Sequence, residues 1–209
     1  AADIPVAVSI DVLTAERYPA LLRQRPDSVA EFLAAGISAT QPITGRMSIE
    51  EERAYIQATL DRLEAALGVR PKGWLGAQRG ESANTPGLLA EAGVEYVADW
   101  SNDEQPYPFR GAAEGLWSMP MSWELSDLSA IFLRGVSHRD YAASIREAVD
   151  VLSVEDGPTA RTLGLHLHPW LSGQPYVMHA LEPVLQAIAA NSTVWTTTPG
   201  QALRAFRSG

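Results

Sequence analysis

The sequence predicts an α/β protein with a parallel sheet, and three observations carry that prediction. Short β-branched or apolar runs alternate with helix-period stretches along the whole chain, which is the pattern of repeated βα units. Helix-start signals fall between those runs: a capping box at Ser48 and Glu51, and prolines at Pro86 and Pro199. No glycine-rich phosphate loop follows the first run, so a dinucleotide-binding sheet loses support. Right-handed crossovers then leave an open doubly wound sheet or a closed barrel.

The elements follow in order. Residues 6–12, Val-Ala-Val-Ser-Ile-Asp-Val, read as a buried strand. Residues 14–22 read as a helix capped by Thr14, and 28–33 as a strand diluted by alanine. The helix opened by Ser48 carries Tyr55, Ile56, Leu60, Leu63 and Leu67 at helical spacing and stops at Gly68. Strands are expected over 72–75, 94–98, 116–121, 162–167 and 193–197. Helices are expected from Thr85 to Gly93, over 137–153 and 181–190, and from Thr198 to Phe206.

Composition bounds the function. The chain has 209 residues, which suits one domain over 1–209. Apolar residues make up 46% and charged residues 20%, as in an ordinary folded protein. Net charge is −9, from 16 basic and 25 acidic residues without a basic cluster. Such a surface repels phosphate backbones and anionic lipid, so neither nucleic acid nor a membrane is an expected partner. The absence of cysteine removes disulfides and thiolate chemistry and is compatible with a reducing, cytoplasmic location. No apolar run reaches transmembrane length, and residues 1–8 lack the basic and apolar regions of a signal peptide.

In parallel α/β folds functional groups gather at the carboxyl ends of strands, and three segments there are informative. In the first, Leu165-His166-Leu167-His168-Pro169-Trp170, two histidines one residue apart point to the same side of a strand. His168 sits where Pro169 ends the ladder, a place for a proton-transfer group, whereas His166 reads as a core histidine bonded to backbone. The second, from Asp99 to Tyr107, holds Asp99, Trp100, Asp103, Glu104 and Gln105. It suits hydrogen-bonding recognition of a polar substrate, or else is a solvated acidic loop. In the third, Glu124 and Asp127 lie three apart. They could divide acid and base work, or Ser126 or Asp127 could cap a helix. Trp74, Trp100, Trp123 and Trp170 fit either pocket walls or core.

Taken together, these segments resemble the polysaccharide deacetylase superfamily, and most of all its allantoinase-like branch. The resemblance runs through Trp74-Leu75-Gly76, Glu81-Ser82, Thr85-Pro86, Tyr96-Val97-Ala98-Asp99-Trp100 and Asp103-Glu104-Gln105-Pro106. It continues through Met119-Pro120 with Glu124 and Asp127, then Leu167-His168-Pro169 with Gly173-Gln174-Pro175. It implies a distorted (β/α)7-type barrel and hydrolysis of an amide carbon–nitrogen bond in a cyclic ureide or an N-acyl small molecule. By position His168, Glu124 and Asp103 are the candidate catalytic residues, with His168 as general acid. Glu81, Trp100, Gln105, Asp127 and Gln174 are the candidate substrate-binding residues.

Two departures from the family shape the expectation. The family's first strand, with its paired aspartates, has no counterpart, so the domain reads as N-terminally incomplete. A homo-oligomer or a separate N-terminal segment would then cover the open sheet edge. Typical members hold a divalent metal with an aspartate and two histidines, and here Ala35 and Ala39 stand at the histidine positions. A methyl group cannot ligate a cation. The expectation is therefore a metal-independent enzyme without a cofactor, as in the allantoinase-like branch. The alternatives are a repurposed non-hydrolytic enzyme acting on a secondary metabolite and an inactive binding homologue.

Overall fold

A six-stranded sheet organises the first part of the chain. The computed structural model describes residues 3–154 and 160–208; Ala1 and Ala2, where the N-terminal reading began, lie outside them. The described residues form two compact units. One holds Pro5–Trp100, Pro106–Met119 and the C-terminal residues from Thr198; the other holds Ser101–Gln105 and Pro120–Thr197.

In the sheet unit the strands are β1 (Val6–Ile10), β2 (Val29–Ala34), β3 (Gly73–Trp74), β4 (Tyr96–Val97), β5 (Tyr107–Pro108) and β6 (Trp117–Ser118). Their spatial order is β1-β2-β3-β4-β6-β5. All neighbours are parallel except the β5–β6 pair. Among the described residues the sheet is not closed, and β1 pairs with β2 alone. Helices α1 (Val12–Arg17), α2 (Pro19–Arg23), α3 (Ile49–Leu67), α4 (Thr85–Glu91) and α8 (Pro199–Ser208) belong to the same unit.

Local chemistry sets these boundaries. Ser48 Oγ accepts from the Glu51 amide at 3.2 Å and the Glu51 carboxylate accepts from the Ser48 amide at 2.8 Å, which completes the expected capping box. Gly68 ends α3 with φ +75°, a conformation that glycine adopts without steric cost. Ile56, Leu60 and Leu63 bury one stripe of α3 in a core with Ile10, Val12, Trp74, Leu89, Val97 and Leu116. Tyr96 lies across Gly73 of the adjacent strand, where a β-carbon would collide with the phenol ring. Its hydroxyl donates to Glu31 Oε1 at 2.7 Å, and the other Glu31 oxygen accepts the Gly200 amide at 3.0 Å near the start of α8.

The second unit is helical. It contains a π-helical turn over Leu128–Leu133, α5 (His138–Val154), α6 (Pro169–Ser172) and α7 (Pro175–Ala190). Tyr141 and Ile145 of α5 pack with Val177, Leu181 and Val184 of α7. The helix expected over 181–190 thus begins earlier, with Pro175 in its first turn.

Two expected strands are absent. Residues 162–167 make isolated backbone bonds to loops, Thr162 N to Glu104 O, Ser122 N to Gly164 O and Asp127 N to His166 O, instead of a ladder. The adjoining segment contains Pro120, which has no amide to donate. Gly164 lies so close to the Pro120 carbonyl that a side chain there would clash. Residues 193–197 are irregular because the Asn191 side chain accepts from both the Thr193 amide and its hydroxyl, at 3.0 and 2.8 Å. Such a turn competes with strand pairing.

These glycine environments predict opposite effects for one added methyl group. Gly73→Ala forces the Tyr96 ring to move and should lower stability by about 1–3 kcal/mol. Gly87→Ala in α4 meets Ala112 no closer than 3.5 Å and should raise stability by up to about 1 kcal/mol through helix propensity. Urea titration of both variants reads the two signs directly.

Candidate active site

In the helical unit the site is built around the carboxylate of Asp127, which has no solvent exposure. Asp127 stands at the N-cap of the π-helical turn, and its Oδ1 accepts the Leu128 amide at 2.7 Å. The same oxygen lies 2.7 Å from His168 Nδ1. Oδ2 accepts the His168 amide at 2.7 Å and the buried Ser172 hydroxyl at 2.6 Å. Burial works to raise the pKa of this carboxyl. Hydrogen bonds from the His168 ring, the Ser172 hydroxyl and the His168 amide outweigh it, so the group sits below its ordinary value and is ionised.

An ionised Asp127 fixes the ring. With a carboxylate at Nδ1, that nitrogen carries a proton, and Nε2 is left as the nitrogen that can exchange one. His168 is also the N-cap of the short helix α6, with extended backbone angles (φ −101°, ψ 119°), so its side chain leaves the chain where Pro169 turns it. Of the readings of Asp127 considered from the sequence, the helix cap is the one seen here, and the carboxylate in addition holds an imidazole, a role that the sequence did not suggest. His166 is half-buried, and its ring lies 4.4 Å from that of His168 between centroids.

The other residues singled out in this unit are arranged more loosely. Asp103 and Glu124 are exposed and line one open depression with Ser101, Glu104 and Leu163. Asp103 Oδ1 also accepts the amides of Glu104 and Gln105, at 2.7 and 3.2 Å, which shapes its own loop. Gln105 donates through Nε2 to the Ala160 carbonyl at 3.4 Å. Gln174 stands at the N-cap position of α7 without a side-chain capping bond, and its side chain donates to the Trp170 carbonyl at 3.0 Å.

In the sheet unit a second group of carboxyls stands at the carboxyl ends of β3 and β4. Asp99, two residues past β4, is buried, and both its oxygens accept the Gly76 amide at 3.0 and 3.1 Å. Trp100 Nε1 donates to Glu81 Oε1 at 3.1 Å. Burial pushes the pKa of Asp99 well up, and the neighbouring Glu81 charge pushes it further. Burial raises Glu81 too, with a contribution from Glu52. Burial and like charge therefore both favour the protonated form of this pair. Glu52 is itself fully buried and accepts hydrogen bonds from the Ser82 and Thr85 hydroxyls.

The metal site implied by the resemblance does not fit these residues. Ala35 and Ala39 follow β2, and among the described residues no group of three or more histidine, cysteine, aspartate or glutamate side chains is arranged to hold a metal ion. Ser172 and Glu52 were not singled out in the sequence, and Asp99 was noted only as part of its loop. Asp99 could have been found from its place after a strand. Ser172 had no local signal, because its partner is 45 residues away. No helix in the described residues is long and apolar enough to cross a membrane.

Comparison with known proteins supports the family resemblance. No family model matches the sequence. A Schizosaccharomyces pombe protein named as a candidate polysaccharide deacetylase is 25% identical over 178 residues, which is 75% of this chain and 54% of that protein. The chain thus spans about half the length of this curated relative. The crystal structure of PuuE allantoinase superposes with a TM-score of 0.87 at 23% identity, covering 99% of this chain and 68% of that one. The structure of a candidate polysaccharide deacetylase from Pseudomonas aeruginosa PAO1 gives 0.87 at 24% identity, covering 99% and 69%. The mixed α/β chain with its open six-stranded sheet has the fold of these proteins, a distorted barrel.

The buried carboxyl pair makes stability depend on pH. In the unfolded chain Asp99 ionises near its ordinary value of 3.8, whereas in the folded chain it keeps its proton to higher pH. The folded state binds more protons across that interval, so this contribution to stability declines as pH rises from 3.8 through the raised value. Asp99→Asn retains an acceptor for the Gly76 amide and removes the proton linkage. Its melting temperature should gain on the wild type progressively as pH is raised, with the two converging at low pH; thermal melts across a pH series check this.

Proposed function

We propose that the chain is a hydrolase of a non-peptide amide carbon–nitrogen bond, in a cyclic ureide or an N-acyl small molecule, working by acid–base catalysis without a metal. The observation that carries this reading is the His168 ring held by a buried, ionised Asp127. In such an arrangement water adds to the amide carbon, and the carbon–nitrogen bond breaks as His168 Nε2–H gives its proton to the leaving nitrogen. Asp127 keeps the proton on Nδ1 and stabilises the imidazolium present before transfer. Asp103 or Glu124, the carboxylates that the resemblance assigns, is proposed to take the proton released by the attacking water. Glu81, Trp100, Gln105 and Gln174 are proposed to bind the substrate through hydrogen bonds.

Metal independence is part of the proposal. It rests on Ala35 and Ala39 at the positions of the family's histidines. The relatives' names, a polysaccharide deacetylase and an allantoinase, support an amide carbon–nitrogen bond as the target. A second reading, a non-hydrolytic enzyme or a binding homologue on the same fold, is favoured by the same two alanines.

Turnover of N-acetylated sugars and of allantoin, followed by mass, separates these readings, because hydrolysis adds one water across the bond and isomerisation adds none. His168→Ala should abolish turnover. Asp127→Asn should reduce kcat by roughly 10²–10⁴-fold, the range expected when a general acid is misoriented. EDTA should leave the rate unchanged. Full activity in the His168→Ala protein would refute His168 as the general acid, turnover without addition of water would refute the hydrolytic assignment, and loss of activity in EDTA that added zinc restores would refute metal independence.

A further inference from the structure

We propose that Phe132 and Trp170 form a platform that holds a planar or apolar ring of the substrate beside His168, so that the protein selects amides carrying such a ring. This deepens the reading of His168 given above and rests on it. Phe132 is the penultimate residue of the π-helical turn and is 63% exposed; Trp170, in the first turn of α6, is 54% exposed. The two rings are nonetheless held together, with centroids 5.6 Å apart and planes at 84°. This edge-to-face geometry is the one aromatic quadrupoles favour. Leu133, 60% exposed, adjoins Phe132 in sequence and adds apolar surface.

The platform is fixed to the same framework as the imidazole. Trp170 follows His168 by two residues, and its ring centroid lies 6.3 Å from that of His168. Its carbonyl is tied to Gln174. Phe132 is reached from Asp127 through the π-helical turn that Asp127 caps. Departures of this kind from α-helical pitch are frequent at functional sites. One carboxylate therefore positions both the proton-transfer group and, through the turn and α6, the two rings.

A second copy of the chain is the competing occupant, and area argues against it. Each aromatic side chain offers at most about 150–250 Å², so two partly covered rings and one leucine fall well below the roughly 800 Å² per partner of a stable interface. A ring-sized ligand matches the available surface.

The test compares acetanilide with N-methylacetamide as binding probes, by calorimetry on the His168→Ala protein, where no turnover intervenes. Acetanilide should bind about tenfold more tightly, in keeping with one or two aromatic contacts. The Phe132→Ala/Trp170→Ala double variant should erase that preference, and Trp170→Phe should retain most of it. Equal binding of the two probes, or a preference that survives the double variant, would overturn the platform. So would sedimentation showing a wild-type dimer that the double variant dissociates, which assigns the patch to self-association. None of these outcomes depends on turnover, so they stand apart from the His168→Ala activity test of the hydrolytic reading.

Discussion

A carboxylate with no access to water must be compensated by donors, and Asp127 receives four: two backbone amides, a hydroxyl and an imidazole N–H. Removing such an ion from solvent costs several kcal/mol even after relaxation. Hydrogen bonds to a charged acceptor return roughly 1.5–3 kcal/mol each, so four of them keep the group ionised. The donors come from the π-helical turn, from the start of α6 and from its last residue, Ser172. The carboxylate therefore fixes the path of the chain at the same time as it fixes a ring.

The sheet unit shows the same ingredients with the balance reversed. Asp99 is also buried, but one backbone amide, that of Gly76, donates to it, and its other hydrogen-bond partner is the carboxyl of Glu81. Burial and like charge then dominate, and the pKa is pushed up. Asp127 and Asp99 are the same residue type, and the donors around the one and the burial and neighbouring carboxyl of the other shift them in opposite directions. A protein that needs both a charged orienter and a neutral carboxyl at one pH can obtain them this way.

Elements specified by contacts within a few residues were legible before any coordinates. The capping box at Ser48 and Glu51, the buried stripe of α3 and the glycine stop at Gly68 all involve partners within one helix. The parallel pairing of β1 to β4 is legible in the alternation of runs, whereas their order in the sheet is not. Residues 162–167 were misread because their apolar alternation mimics a strand, while the neighbouring segment carries Pro120 and makes only scattered bonds. The site was partly legible. His168 was marked by its place before Pro169, whereas the role of Asp127 as its partner depends on a contact across 41 residues that no local spacing encodes. The resemblance supplied the pocket residues, and the structure adds the distinction between a tightly held Asp127 and loosely placed, exposed Asp103 and Glu124.

The anchor between Asp127 and position 168 is double, one strand through the imidazole and one through the main-chain amide. The second survives any replacement except proline, because it belongs to the backbone. A descendant that lost its imidazole would still hold the start of α6 in place and would keep its shape while shedding its chemistry. In a lineage built on such an anchor, conservation of form is a poor witness to what stands at position 168.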